Sequence, residues 1–397
     1  MKNKMRIDVI SNFFLPSRAG IEINMNEVYS RLSRMGWDIT VHTTTNTFSE
    51  KNILPNEETI NGIKVRRYTK RFYGFIPKID WGNTNIICFE DFNISAPHSL
   101  LLFYSLILKV IGKKKYTQIL SPQGGYTYDW KVFPFLVRLI KKTCHITISK
   151  LLINYSIDKV RAISIWEKYE LEKYGIKKGL ITLITYGLDN DAFSDVDALA
   201  REETKHIVNK MKPYIIQVGR IHKTKNYEVT INALSKLNKN INYLIVGQDH
   251  EFEYRKYLEK RINQLGLTDR VKFLGEKTGV DKYYLMKHAE MMVHMSRWES
   301  YGLVLLEAMS QGTVCITSNK YAMPYVVKNN INGYCIDPDD EEKLIDKIYF
   351  IFKNKNNKVI KHMKQNNIKQ SHKLTWDKTA TEINKLLIKF LDKENIL

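Results

Sequence analysis

The chain alternates short apolar runs with helical patterns that stop at glycine, and it does so twice. Residues 5–11 read as a strand, the loop 12–22 leads into a helical pattern over 23–35 stopped by Gly36, and 37–43 is a second strand. From 214 the grammar restarts: a strand over 214–220, a loop to Asn226, a helix over 227–237, a strand over 242–247, a helix over 252–265 stopped by Gly266, and a strand over 271–275. Strands joined through a helix return parallel, by a right-handed crossover. That spacing predicts an α/β fold of two doubly wound parallel sheets, and 397 residues suffice for two cores. The expected division is 1–195, a polar linker over 196–212, a second domain over 213–374, and a final helix over 375–397 that opens at Trp376. Further strands are expected at 85–89 and 159–164, and 60–68 reads as a turn and an edge strand.

Charge narrows the partners. The formal net charge is +20, and between residues 60 and 160 Lys and Arg outnumber Asp and Glu by eleven. Such an excess suits nucleic acid, an anionic membrane or a phosphorylated substrate, although a Lys-rich composition alone gives a similar count. No recognition-helix, RNP or stacking-aromatic pattern accompanies it, so no nucleic acid is expected. Residues 100–111 are almost wholly apolar and lead into Lys113, Lys114 and Lys115. Twelve residues are too few to span a bilayer of about 30 Å, which leaves a core helix or an amphipathic segment on an anionic leaflet. A basic helical block follows over 131–155. Cys88, Cys144, Cys315 and Cys335 lack C-x-x-C spacing, and the chain starts with a charged lead into a strand instead of a signal-peptide apolar region. Reduced thiols and a cytoplasmic protein, with association at the inner leaflet as an option, are the expectation.

The chemistry concentrates in 294–312. The apolar run 291–293 ends a strand, a polar loop follows, and a helix starts near Gly302 and stops at Gly312. A strand that feeds a helix through such a loop aims backbone N–H groups and a helix N-terminus at an anion. Glu299 lies in the loop and Glu307 more than one turn into the helix, which brackets a phosphate position with two hydroxyl-binding carboxylates. Arg220 and Lys225 flank the loop after the strand 214–220, where cations can clamp a phosphate.

The stretch E-S-Y-G-L-V-L-L-E-A-M closely resembles the E-x7-E signature of retaining glycosyltransferases of family 4, glycosyl transferases group 1. The resemblance implies a GT-B fold: two Rossmann-like domains facing across a cleft, with the final helix crossing back to the first. It implies that Glu299 faces the donor sugar and that Glu307 holds the nucleotide ribose. Gly302, Leu303 and Ser300 would meet the diphosphate, with Arg220 and Lys225 stabilising it. Further segments carry the likeness. The loop with Arg18-Ala19-Gly20 is similar to the family's P-P-x-x-G-G-I-E, which gives Gly20 a donor or acceptor role. Ser121-Pro122-Gln123-Gly124 matches S-P-H-G with Gln123 in the histidine's place; His98 is the other histidine of that region, a candidate beside a structural role. Glu276 and Lys277 follow the strand whose loop touches the base in relatives.

Several positions depart from the family: Ala19, Gln123, Tyr186 for an asparagine, Asn226 for a glycine, and 321–325 where G-G-x-x-E is common. The implied protein takes a nucleotide-sugar donor and a glycan or lipid-linked acceptor, with peripheral contact to anionic membrane as an option. It has no cofactor, and cations and a helix dipole do the work of a metal. Asp189-Asn190-Asp191 is a D-x-D that could hold a divalent ion in another fold. A GT-B epimerase or phosphorylase, or an inactive binding subunit suggested by the departures, are the alternatives.

Overall fold

The computed structural model describes residues 5–47, 54–71, 74–92, 97–126 and 134–394, without the side chains of 392–394. It divides into two compact units, Met1–Gly187 with Trp376–Leu397, and Leu188–Thr375. The start of the basic block expected over 131–155 lies outside the described residues.

Among the described residues the first unit carries eight strands: β1 Arg6–Ile10, β2 Asp38–Thr44, β3 Glu57–Ile60, β4 Ile63–Tyr68, β5 Ile86–Glu90, β6 Thr117–Ser121, β7 Lys159–Ala162 and β8 Ile181–Leu183. Their order is β3-β4-β2-β1-β5-β6-β7-β8. Every pairing is parallel apart from β3 with β4. The inner strands are buried along their length because helices cover both faces, hence runs such as Ile86-Ile87-Cys88-Phe89. The expected edge strand at 60–68 is corrected here. Ile63–Tyr68 pairs on both sides, and the edge is Glu57–Ile60. Asn61-Gly62, both at positive φ (52° and 82°), makes the tight turn that folds the edge strand back.

In the second unit the strands are β9 Tyr214–Val218, β10 Asn242–Val246, β11 Val271–Phe273, β12 Met291–His294, β13 Cys315–Ser318 and β14 Gly333–Ile336. All pair in parallel in the order β11-β10-β9-β12-β13-β14. The chain runs outward from β9, then returns to lay β12 on its other side. That reversal opens a crevice at the carboxyl ends of β9 and β12, the usual ligand position of doubly wound sheets. A core of aliphatic and aromatic side chains, including Ile215, Ile245, Val293, Ile316 and Tyr334, fixes the sheet against its helices.

The segment 196–212 is not a linker. It forms two helices, Val196–Leu199 and Glu202–Met211, and Thr204, Val208 and Met211 are buried within the second unit. Its polar composition misleads because three residues at helical spacing are enough to hold a short helix on a surface. The last helix, Trp376–Glu394, groups with the first unit. Trp376, Ala380, Ile383, Leu387 and Leu391 form its buried stripe. Asp377 pairs with Arg31 at 2.5 Å, and Trp37 Nε1 donates to Asn384 Oδ1 at 2.8 Å. Among the described residues no helix is long and apolar enough to cross a membrane.

Candidate active site

Two loops meet at the β9/β12 crevice. After β9 the backbone passes Gly219 and Arg220, makes a short turn at Lys223–Lys225, and enters the helix Tyr227–Lys236 through Asn226. Asn226 is left-handed (φ 53°, ψ 51°), which explains why the family uses glycine there and why Asn serves, since it is among the few residues that tolerate this region. Its Nδ2 donates to the Pro338 carbonyl at 2.7 Å, an anchor that glycine lacks. The Lys225 carbonyl is held by Gln217 Nε2 at 2.8 Å from inside β9.

The loop after β12 is tied to this turn. Ser296 Oγ and Arg297 N both donate to the Thr224 carbonyl, at 2.9 and 2.7 Å. The Arg297 guanidinium reaches Glu228 and Asp339, at 3.1 and 3.0 Å. This clamp brings Lys225 Nζ onto the Glu299 carboxylate in a short ion pair. His294, the last residue of β12, donates from Nε2 to the same oxygen, Glu299 Oε1, at 2.8 Å. Burial alone would raise the Glu299 pKa, but the Lys225 charge and the His294 hydrogen bond outweigh it and bring it down to about 2. Burial pushes the His294 pKa down, so the imidazole is neutral at neutral pH, donating through Nε2. Glu299 is therefore a fixed anion, an acceptor of hydrogen bonds and not a proton donor.

Gly302 follows, at φ 87° and ψ 43°, as the N-cap of the helix Leu303–Ser310. A side chain there would be strained by the backbone and would press on Leu305 at 3.2 Å. Leu303 opens the helix, so its N–H and the next lack intrahelical partners and point out of the helix start. Ser300 is half-buried in the connecting loop. The 321–325 segment, altered relative to the family, supports the same loop: Ala322 N donates to the Glu299 carbonyl at 3.3 Å. Tyr321 there adopts φ 55°, the conformation for which relatives have a glycine. Arg220 is half-buried at the end of β9, and its charge, after burial, helps hold the His250 imidazole below its ordinary pKa.

Glu307 is buried one turn on and accepts from Lys282 Nζ at 2.8 Å. Burial works against the Lys282 charge, and Glu307 more than offsets it, leaving the ammonium with a raised pKa. Lys282 belongs to the helix Gly279–Lys287, whose Tyr283 OH lies 3.5 Å from Asp189 Oδ2. The D-x-D carboxylates thus face a lysine and a tyrosine. Among the described residues no cluster of three or more His, Cys, Asp or Glu side chains is arranged to hold a metal ion.

Other expected residues lie elsewhere. Glu276 is exposed in the loop after β11, and Lys277 turns toward Glu203 at 3.9 Å. Gly20, Gln123 and His98 belong to the first unit. Gly20 starts the helix Gly20–Arg34 with open space where a side chain would sit. His98 is fully buried, 2.7 Å from the Asp91 carboxylate. Gln123 is buried at φ 52°, accepts from the Tyr186 hydroxyl and donates to Glu90. The two departures Gln123 and Tyr186 are thus one hydrogen-bonded pair, joined through Glu90 to Tyr29 OH at 2.6 Å. Sequence reasoning missed His294 and Lys282. A histidine ending an apolar strand five residues before Glu299 is a usable signal; nothing in its periodicity marks Lys282.

The glycosyl transferases group 1 family model matches residues 200–370. Mannosylfructose-phosphate synthase of Agrobacterium fabrum is 25% identical over 261 residues, which cover 64% of this chain and 54% of that enzyme. The chain therefore spans about half the length of that relative. GDP-mannose:cellobiosyl-diphosphopolyprenol alpha-mannosyltransferase of Komagataeibacter xylinus is 24% identical over 334 residues, 82% of this chain and 79% of that one. Among solved structures, HepE of Anabaena in complex with UDP and glucose superposes with a TM-score of 0.73 at 17% identity, covering 97% of this chain and all (100%) of that one. The chain has the GT-B fold, and its segment 200–370 matches the glycosyl transferases group 1.

Proposed function

We propose that the chain is a retaining glycosyltransferase that moves a sugar from a nucleoside-diphosphate sugar to a hydroxyl of a glycan or lipid-linked sugar. The observation that carries this reading is the convergence of Lys225 and Glu299 from opposite sides of the β9/β12 switch, beside the helix start at Gly302. An ammonium with three donors can serve Glu299 and a phosphate oxygen together. The donor's diphosphate would lie against Lys225, Arg220 and the N–H groups at Leu303, where negative charge grows as the bond to the anomeric carbon breaks. Glu299, ionised throughout the neutral range, accepts hydrogen bonds from the donor sugar. Glu307 accepts from the ribose hydroxyls, sharing its charge with Lys282.

The acceptor oxygen attacks the anomeric carbon on the face the diphosphate leaves, and its proton passes to the departing phosphate oxygen. The configuration is retained and no metal is required. A nucleotide-sugar donor agrees with the GDP-mannose named for one relative and the UDP bound by the HepE structure. A diphosphopolyprenol-linked acceptor is named for the same mannosyltransferase, which supports a lipid-linked acceptor.

Nucleotide release from a panel of UDP-, GDP- and ADP-sugars tests this, with Glu307→Ala and Arg220→Ala in parallel. Release from one donor, reduced at least tenfold in both variants, is expected, and proton NMR of the product should give the donor's anomeric configuration. No release and no thermal stabilisation by any nucleotide would overturn the reading, and an inverted product would overturn its retaining form.

A further inference from the structure

The helix His98–Val110 is apolar on two opposite faces. Its inner stripe, with Leu101 and Leu102, is buried in the core of the first unit. Its outer stripe faces solvent at helical spacing: Leu100, Phe103, Ile107 and Val110 are 44–78% exposed. A helix apolar all round is normally buried all round. Beside it the stretch 134–156 forms helical turns, and Ser156 Oγ at its end donates to the Leu102 carbonyl at 2.8 Å. The first of these helices, Phe135–Cys144, buries none of its residues. Phe135, Leu136, Leu139 and Ile140 form a stripe that is 53–72% exposed, and Leu151 continues it at 55%. Each of the two elements thus presents a stripe of large apolar side chains to water, and the helix Lys150–Ser156, which continues from the second, packs on the first.

The charge around this surface identifies its occupant. Residues 97–126 and 134–156 hold eight Lys and Arg and no Asp or Glu. Lys141 and Lys142 follow the apolar stripe of one helix and Lys113 and Lys115 that of the other. The acid nearest in sequence, Asp158, is held by Lys114 at 2.5 Å and by the Gln118 amide at 2.8 Å. Trp81 packs on Tyr104 of the first helix in a tilted contact, ring centroids 5.1 Å apart and planes at 59°, both residues more than a third exposed, and these are the two residue types favoured at a headgroup boundary. Neither helix can cross a bilayer, at 13 and 10 residues. Short helices with an exposed apolar stripe, long cationic side chains that can reach outward and aromatic margins suit the plane of an anionic leaflet.

We propose that the helices His98–Val110 and Phe135–Cys144 are the membrane-docking surface of this chain, and that its partner is a bilayer leaflet rich in anionic lipid. The helix faces and charges carry this without reference to the donor site; it deepens the lipid-linked acceptor half of the functional reading by placing the first unit on the surface where such an acceptor resides.

The test is flotation of the full chain with vesicles of phosphatidylcholine alone and with phosphatidylglycerol added, at low and at high salt. Leu139→Glu with Ile140→Glu is the informative double variant, because the helix that carries them makes no core contribution and folding should be unchanged by circular dichroism. Lys141→Glu with Lys142→Glu tests the charge separately. We expect binding to the anionic vesicles, weakened by salt and reduced at least tenfold by either pair. Absence of flotation at low salt would overturn the proposal, and so would equal binding by the variants. A concentration-dependent dimer abolished by Leu139→Glu with Ile140→Glu, without vesicle binding, would assign the surface to a second copy instead. The two readings fail separately: a chain that floats yet releases nucleotide from no donor keeps this surface and loses the enzyme, and a chain that turns over donor yet never floats does the reverse.

Discussion

Glu299 owes its ionisation to two neighbours of different kinds. Lys225 supplies charge, and His294 supplies a directed hydrogen bond from a fully buried ring. Replacing His294 by Leu leaves the carboxylate free to rotate about its lysine, and positioning errors of this kind commonly cost a factor of ten or more. We expect kcat to fall about tenfold with little change in nucleotide affinity, and His294→Gln, which keeps an N–H donor, to recover part of it. Equal loss in both variants, with a matching drop in thermal stability, would mean the histidine only fills space. The Glu299 pKa also sets a pH dependence. Its folded pKa of about 2 lies below the unfolded value near 4.5, so its stabilisation is full above that value and is lost as pH falls toward 2. The stability gap between the wild type and Glu299→Gln, on the order of 3 kcal/mol at neutral pH, should therefore shrink as pH falls from about 4.5 toward 2. A gap that stays constant to pH 3 would count against the ion pair. Glu299 and Lys225 were legible from local motifs 74 residues apart, but that their side chains meet was not. The pairing needs the β9/β12 adjacency, which no local pattern contains.

At the scale of elements, the helices Gly279–Lys287 and Leu303–Ser310 are joined by a buried charge pair, Lys282 with Glu307. Such a pair adds little over a well-packed apolar contact, yet removing one partner strands the other. Lys282→Met should destabilise the second unit by about 3 kcal/mol, and Lys282→Met with Glu307→Leu should restore most of that while abolishing nucleotide binding. Urea denaturation measures both; a double variant no more stable than the single one would refute the coupling. The βα units of both sheets were readable because strand and helix periods differ and glycines mark helix ends. Two elements were not read correctly, for different reasons. Asn61-Gly62 reads as a turn, but the short strand Glu57–Ile60 before it, half exposed and polar, carries no apolar signal, so the strand after the turn takes its place as the expected edge. The stretch 196–212 hides its helix Glu202–Met211 because so few of its positions are buried.

For the whole molecule, the return of Trp376–Glu394 to the first unit means that the unit's core is completed by the last residues of the chain. The sequence shows the helix through its stripe of Trp376, Ala380, Ile383, Leu387 and Leu391, but periodicity alone does not say which sheet the stripe covers. The contacts decide it: Thr379 Oγ1 donates to the Thr185 carbonyl at 3.0 Å, and the Trp376 ring packs on Tyr186 with centroids 5.6 Å apart. Tyr186 in turn donates to Gln123, so the final helix buttresses the residue pair that replaces the family's histidine and asparagine. Leu387 is fully buried, and an aspartate in its place would bury an unpaired carboxylate against apolar neighbours, at a cost of about 3 kcal/mol or more. Leu387→Asp should therefore lower amide-exchange protection in the helix Gly20–Arg34 and in β1, while β9 and β12 keep theirs. Loss of protection spread evenly over both sheets would show instead that the two units unfold as one.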